Sequence, residues 1–599
     1  MPKTYRQLLS HIKDHESLFV CISMVIFIII RLWLITGIPK MLINGPYDHL
    51  YFAKAAHYII HGQWMGPYTV YTLIKVPFYS FFLIFSFLTG LPLVLNENFF
   101  YVVACLVLFF AFIPLIKSKW WRLLLFTLLL FCPASLATGW TVTVYREFVY
   151  FSLTLYVVVF SIGLFLRLDQ KITTLLLWSI GLGVSMGAFM ITREEGVWIY
   201  PILFLLLTIS IIFIWKKKYE KKWIRTGFIL LPILLWYVPS IIVSSFNYSY
   251  YGFWGTTEQL EPDFNRVLNT LGRIKTSTWY PFIQITEEAR MKAYDVSPLL
   301  YEMKDAIENS VVWWNPADDG SLGYKPEWYI SQYGNGGSEI GAHFLWSFRG
   351  DVSNKGYYAA GKYPYEFYKK LADQLESACN DGRLDCSPPR MIPFIGSIDQ
   401  RHYPIILRMF YEDSIHLLNL DYTGAEVASL DINTWPAWPE NNNEYLYFEE
   451  FVYDSLETPG VRSNEYTQYS LINGKTDLRL KILTYKETIM KGITNIYKGF
   501  TLPAFITGFI AWIILLVYSI SKKGRESQHS YLITSIFVIG LFLSRLMTLV
   551  IIDATSSVPA IIYGPSIYIF IYIFSFLMLY WLFIQCKMIF LQRSLKSDF

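Results

Sequence analysis

Ten apolar runs, at 17–38, 98–116, 123–140, 148–166, 173–192, 196–215, 226–246, 499–520, 530–551 and 563–585, each approach the length that carries a helix across a bilayer. Backbone surrounded by lipid must satisfy its own hydrogen bonds, and that restricts the spanning elements to helices. Hydrophobic residues make up 54% of the 599 and charged residues only 16%, which excludes an ordinary soluble domain. The expected fold class is a polytopic α-helical membrane protein of about ten transmembrane helices. A large extracytoplasmic domain, α+β or mainly helical, fills the polar stretch between the seventh and eighth. The first run follows a polar start and lacks a small-residue cleavage site, so it reads as a retained anchor.

One further stretch, 76–95, is apolar enough to span but is broken by Pro77, Gly90 and Pro92. The basic residues decide its course. With Lys3, Arg6 and Lys13 in the cytosol and 76–95 not crossing, Lys117, Lys119 and Arg122 are cytosolic. So are Arg167, Lys171, the cluster from Lys216 to Arg225, Lys522, Lys523 and Arg525, and finally Arg593 and Lys596. If 76–95 crosses, the clusters from Lys117 to Arg225 move outside. The stretch is therefore expected to be a re-entrant or surface-lying hairpin packed against protein. Both termini are then cytosolic. The chain divides into a transmembrane module, 1–246, whose first outer loop is 39–97, an extracytoplasmic domain, 247–495, and C-terminal helices, 496–599. The expected location is the plasma membrane, specifically a bacterial inner membrane. In the outer segment, Phe264, Val267, Leu268, Leu271 and Ile274 fall at helical spacing, and 363–379 forms another helix. The basic amphipathic stretch 476–495 is expected to lie on the membrane surface.

Several charges break the positive-inside trend. Arg31 and Arg545 lie in the outer halves of spans, Arg146 and Arg193 at outer span boundaries, and Lys75 at the start of the hairpin. Asp48, Glu147, Glu194, Glu195 and Asp553 accompany them. An ionisable group at such depth is by default a functional candidate, and guanidinium suits a lipid phosphate because it binds bidentately and stays charged. Plainer readings stand beside these: Arg31 and Arg545 snorkelling to headgroups, Glu194 pairing with Arg193 and Glu147 with Arg146, and Asp48 serving only as a helix N-cap. Asp48 opens an amphipathic run that ends at Gly62, which places an acid and a short surface helix together at the outer boundary.

The order of first span, outer-loop Asp48, surface helix, Lys75-Val76-Pro77, acidic second outer loop and Arg193-Glu194-Glu195-Gly196 resembles the GT-C superfamily of integral-membrane glycosyltransferases. Protein O-mannosyltransferases and lipid A aminoarabinose transferases are among its members. The resemblance covers roughly 17–246, with a weaker likeness of layout in 499–585. It implies that Asp48 is the catalytic aspartate, that Lys75-Val76-Pro77 stands for a Lys-Pro-Pro segment, and that Glu147 is the second-loop acid. His49 stands where an acid is common, and Val76 interrupts the Lys-Pro-Pro.

The implied reaction moves a sugar from a polyprenyl-phosphate carrier to an acceptor hydroxyl on a glycan, lipid or protein, with inversion. Asp48 is the expected general base, with Glu147 as the second catalytic acid. Arg31, His49, Lys75, Arg146, Arg193, Glu194 and Arg545 are the expected substrate-binding residues. Cations in that role make a metal unnecessary. His57 and His61, at i and i+4 with His49 near the same stripe, are a weaker option for a divalent ion. A net charge of +4 gives no reason to expect nucleic acid. Cys21, Cys105, Cys132 and Cys586 lie in apolar runs and pack there, while Cys379 and Cys386 flank a polar turn and are expected to form a disulfide outside the cytosol. Trp313, Trp314, Trp328, Trp435 and Trp438 suit either sugar stacking or a domain core, and core is favoured. The glycine-rich 334–337 is a loop. Rival functions are a glycan polymerase or ligase using a diphosphate-linked donor, and a transporter, which would show midplane charges and pseudo-repeats.

Overall fold

The computed structural model describes residues 16–38, 40, 48–217, 219–311, 315–316, 325–337, 339–341, 344–389, 398, 400–421, 451, 478–521, 526–556 and 563–597. Lys3, Arg6, Lys13, Lys218, Trp313, Trp314, Trp435, Trp438, Lys522, Lys523 and Arg525 lie outside them. The first module runs α1 (Glu16–Ile35), α2 (His49–Ile60), α3 (Phe78–Thr89), α4 (Leu93–Ala111), α5 (Lys119–Leu130), α6 (Glu147–Phe165), α7 (Ile172–Met190), α8 (Tyr200–Lys216) and α9 (Lys222–Tyr251). The polar segment contributes α10 (Pro262–Leu271), α11 (Glu287–Val296), α12 (Phe344–Asn354), α13 (Lys362–Asn380) and α14 (His402–Asn419). The chain closes with α15 (Leu478–Ser521), α16 (Glu526–Thr555) and α17 (Ile567–Ser597). Among the described residues, nine helices are long and apolar enough to cross a membrane: α1, α4, α6, α7, α8 with the turn before it, α9, α15, α16 and α17. The protein is a polytopic helical membrane protein.

The run at 123–140 departs from expectation. It is not a spanning helix: α5 is 12 residues long, about 18 Å at 1.5 Å per residue. Pro133, which has no N–H to donate, starts a 3-10 turn at Pro133–Ser135. The buried, non-helical backbone that follows is satisfied by cations from elsewhere in the chain. Arg31 of α1 donates to the Leu130 carbonyl, to Ser135 O (2.7 Å) and Oγ (3.1 Å), and to Asn98 Oδ1 (2.8 Å). Lys40 pairs with Glu97 and donates to Thr141 O at 2.6 Å.

The 76–95 stretch doubles back as expected. Helix α3 has 12 residues and ends at Gly90, whose φ of +67° is open to glycine and strained for other residues. Asn96 of α4 clasps the turn, donating to Ser86 Oγ (2.9 Å), Thr89 Oγ1 (2.9 Å) and Leu91 O (3.1 Å). The basic residues gather at the opposite end of the bundle and close helix termini there. Arg167 donates to Ala111 O (3.0 Å) and Phe110 O (2.5 Å), Arg225 to Leu168 O and Gln170 O (2.8 Å each), and Lys119 to Ser17 Oγ (2.6 Å). Exposed Trp223 and Tyr248 bracket α9, as aromatic side chains do at the two headgroup levels. Helices α7 and α9 approach closely over Gly183 and Gly187: a Cβ at Gly183 would lie 2.6 Å from Leu235 Cβ, and one at Gly187 2.9 Å from Pro239 Cγ. That is the small-xxx-small contact of membrane helices.

The stretch 476–495 is not a separate surface helix. Its described part, 478–495, is the start of α15, a continuous helix of 44 residues that runs on past 495. No helix breaker separates 495 from 499, and Lys486 is held at the top of α1 by Thr36 O (2.6 Å) and the Trp33 ring (5.2 Å). The polar domain is helical where described, with one isolated bridge, Ile274 to Cys386. Of the two expected forms, the helical one is observed among the described residues. Helices α10 to α13 enclose Val267, Leu271, Phe348, Leu371 and Leu375. Cys379 and Cys386 are disulfide-bonded, with Cα atoms 5.6 Å apart. The domain grips the segment before Lys75: Arg349 donates to Val70 O (2.7 Å) and Glu258 Oε2 (2.5 Å), and Glu258 N donates to Leu73 O (2.9 Å).

Candidate active site

Helix α6 starts at Glu147 with Arg146 before it. The 3-10 turn leading into α8, Glu194–Ile199, starts with Glu194 and Glu195 after Arg193. Acids in a first turn are favoured by the partial positive charge of a helix N-terminus. The ion pairs form crosswise. Arg146 Nη1 lies 3.0 Å from Glu194 Oε2, while Arg193 pairs with Glu147 and, at 2.6 Å, with Glu195 Oε1. The expected local pairs, Arg146 with Glu147 and Arg193 with Glu194, are therefore not observed. Successive residues at a helix start point about 100° apart, so each arginine reaches across to the other segment and clips the two together.

This clip fixes Lys75. Val76 N donates to Glu194 Oε1 (3.0 Å), Tyr51 OH donates to Lys75 O (2.8 Å), and Phe78 N donates to Ile191 O (3.0 Å). The Lys75 ammonium lies 3.0 Å from Asp48 Oδ1 and 5.5 Å from the centre of the Trp346 ring, which belongs to the polar domain. Tyr145 OH donates to the same Asp48 oxygen at 3.2 Å. Asp48 occupies the N-cap position of α2, yet its side chain makes no capping bond. The cap reading is overturned because the carboxylate has turned to Lys75 and Tyr145 instead.

Exposure separates the acids. The Asp48 side chain is 37% exposed, against 10% for Glu194 and 4% for Glu147. Burial raises the Asp48 pKa, but Lys75 and Arg146 outweigh it and hold the carboxyl well below the usual range. His49 is pushed down to about 4 by burial, against the pull of Asp48, so its ring is neutral at pH 7. That ring stacks on Tyr145 at 4.6 Å, and its buried Nε2 has no hydrogen-bond partner.

Arg545 joins from α16. Its Nη2 donates to Tyr563 O (2.9 Å), Tyr150 and Trp198 rings lie 5.6 and 5.5 Å away, and its Nε and Nη1 have no partner. Tyr563 links it to the rest, since Arg193 sits 4.4 Å from that ring. Asp48, His49, Lys75, Arg146, Arg193, Glu194 and Arg545 thus form one cluster with Glu147 and Glu195. Arg31 is outside it: its partners are Leu130, Ser135, Asn98 and the Tyr101 ring, and none of these belongs to the cluster. It is a backbone-capping residue, neither snorkelling nor turned toward Asp48. Glu147 stands behind Arg193 and does not touch Asp48. Tyr145, Tyr563 and Trp346 were not anticipated. Tyr145 is signalled only by its place beside Arg146, and the other two by nothing in the sequence.

The histidines do not converge. His57 and His61 rings lie 4.4 Å apart, with His61 Nδ1 2.8 Å from the His57 carbonyl, while His49 faces Tyr145. Among the described residues, no three His, Cys, Asp or Glu side chains are grouped to share a metal. Trp328 is a packing residue, its Nε1 donating to Glu412 Oε2 (2.8 Å) under the Arg408 guanidinium.

No family model matches the chain, and no curated protein matches it. Among solved structures, it aligns with ArnT from Cupriavidus metallidurans in the apo state, with 12% identity, 89% of this chain and 77% of that chain covered, and a TM-score of 0.30. The same protein bound to undecaprenyl phosphate aligns with 13% identity, 81% and 79% coverage, and a TM-score of 0.29. Scores of this size do not establish a shared fold.

Proposed function

We propose that this protein is a membrane glycosyltransferase that moves a sugar from a polyprenyl-phosphate carrier to an acceptor hydroxyl on the extracytoplasmic side, with inversion. The observation that carries the reading is Asp48. It is the most exposed acid of the cluster, at 37% against 24% for Glu195, it gives up the capping role its position offers, and it stands before a layer of fixed cations. The basic end of the bundle is the cytosolic one in this reading, which puts Asp48 and the polar domain outside, with a bacterial inner membrane as the home.

In the resting state Lys75 holds Asp48 ionised and makes it a weak proton acceptor. A donor phosphate entering the cluster competes for Lys75, and losing that partner raises the basicity of Asp48. The carboxylate then takes the proton of the acceptor hydroxyl as its oxygen attacks the anomeric carbon from the face opposite the phosphate. The C1–O bond to the phosphate breaks, and the phosphate departs with the electron pair. Lys75, Arg146, Arg193 and Arg545 stabilise the charge that builds there without reorganising. His49, neutral and with Nε2 unpaired, is placed to hydrogen-bond the acceptor or the sugar. Glu147 and Glu194 are positioning residues that orient Arg193 and Arg146. These cations supply the electrostatic role a metal would otherwise fill.

The test is transfer of radiolabelled sugar from polyprenyl phosphate by reconstituted protein. Asp48→Asn is expected to lower transfer by roughly 10²–10⁴-fold, the usual contribution of a general base. An unchanged yield of product from that variant would sink the assignment. Movement of the donor across the bilayer without transfer would favour a transporter instead.

A further inference from the structure

We propose that α14 is an interfacial helix whose outer face lies in the lipid of the domain-side leaflet, seating the polar domain on the membrane. One face of this helix is buried through His402, Ile405, Ile406, Met409 and Leu417. The opposite face exposes Tyr403 (56%), Leu407 (68%), Tyr411 (66%) and Ile415 (38%), one residue every four. That repeat makes an apolar stripe about 18 Å long. A helix of the same domain that faces water looks different: α13 turns Lys369, Lys370 and Asp373 outward.

The depth of α14 is set by its neighbours. It packs against α15 and α16, two of the candidate spans. Midway along, Glu412 accepts from Trp328 Nε1. The next residue, Tyr329, donates to Ala554 O at 3.0 Å, and Lys325 bonds Asp553 Oδ1 at 2.5 Å, both at the domain-side end of α16. Just past the end of α14, Asp421 lies 3.6 Å from Lys498, where the apolar part of α15 begins. The helix is thereby pinned at two points to the level where spans emerge. Both spans continue the apolar surface, with Ile496 67% and Met547 39% exposed. Arg408 and His416 border the stripe, and two of its four residues are tyrosines. Basic flanks and amphipathic rings are the composition of a headgroup-level helix. Lipid is therefore the occupant this face fits.

Collision accessibility of nitroxide labels tests the proposal on the full chain in lipid nanodiscs. The background carries Cys21→Ser and Cys586→Ser, leaving the buried Cys105 and Cys132 and the 379–386 disulfide intact. Labels are placed at Leu407→Cys and Tyr411→Cys, with Leu234→Cys on the exposed face of α9 as the lipid reference and Lys369→Cys on α13 as the water reference. Ile415→Cys replaces either stripe variant that does not reconstitute. Oxygen accessibility is expected to exceed that of a water-soluble nickel chelate at 407 and 411, as at 234, with the ratio reversed at 369. A ratio at 407 and 411 matching that at 369 overturns the proposal in favour of a water-facing surface. Low accessibility to both reagents overturns it in favour of a protein partner or a second copy.

Discussion

Arg31 and Arg146 are both buried guanidiniums beside the ends of apolar helices, and they answer to different partners. Arg31 mostly serves backbone carbonyls stranded where α5 stops short of crossing. Arg146 and Arg193 instead each face a carboxylate from the other's segment, Arg193 also pairing with Glu195 of its own, with Lys75 facing the more exposed Asp48. A carbonyl has nowhere else to turn, so the first arrangement is part of the fold. A carboxylate can yield its cation to a phosphate, so the second can be exchanged. Depth in the membrane therefore does not by itself mark a functional charge. The partner does.

The contrast breaks most visibly in activity. Asp48→Asn should remove transfer almost entirely while leaving the melting temperature of the detergent-solubilised protein where it was. A matching loss of stability would move Asp48 to the structural group. Arg31→Ala should do the reverse. Stranding several buried carbonyls at once costs roughly 3–5 kcal/mol at about 1–3 kcal/mol per group, seen as poor yield and early unfolding. Arg31→Lys should not rescue it, because one ammonium lacks the planar fork that reaches Ser135 and Asn98 together.

Within the exchangeable set, Arg193→Leu alone should destabilise by about 3–5 kcal/mol by leaving buried carboxylates unpaired. Adding Glu147→Leu should recover part of that loss without restoring transfer. A double variant no more stable than the single one would show that the pair is not coupled. Arg545→Ala is a milder probe, since among the described residues no carboxylate pairs with it. Its expected effect is a KM for the lipid donor raised by about 10-fold, equivalent to about 1.4 kcal/mol, with thermal stability little changed. An unaltered KM would remove Arg545 from the donor site.

Much of this arrangement was legible in the chain, for physical reasons that differ from place to place. The doubling back at 76–95 is written locally, in Pro77, Gly90 and Pro92, and in basic clusters that need a common face. Asp48, Lys75, Arg146, Arg193 and Arg545 stand out because charge in apolar surroundings is costly. The early end of α5 was hidden: the run from Leu123 to Leu136 looks continuous apart from Pro133, and the break is tolerated only because Arg31 and Lys40 arrive from distant parts of the sequence. The continuity of α15 was missed because a basic amphipathic segment and the start of a long helix have the same pattern. The crosswise pairing could not be read from sequence at all, since it depends on how the starts of α6 and α8 meet. Tyr145, Tyr563 and Trp346 carry no charge to single them out.

A third group of buried charges sharpens the comparison, with the smallest expected effect. Lys325 and Asp553 are paired beneath α14, and Asp413 is a surplus acid beside them, with a buried Oδ2 that has no hydrogen-bond partner. Burial, then the Asp553 charge, push the Asp413 carboxyl up to about 8, with Lys325 opposing and Glu412 adding to the rise. An acid whose folded pKa lies above its unfolded value holds its proton longer in the native state. The native state then binds more protons between pH of about 4, where an unfolded aspartate titrates, and about 8. Stability falls with rising pH across that window. Asp413→Asn replaces the protonated carboxyl with a neutral group of the same shape. The variant should match the wild type in melting temperature at about pH 3.5, below the unfolded pKa, and exceed it increasingly up to about pH 8. A difference between the two that stays constant across that range would mean that Asp413 is already ionised in the folded protein.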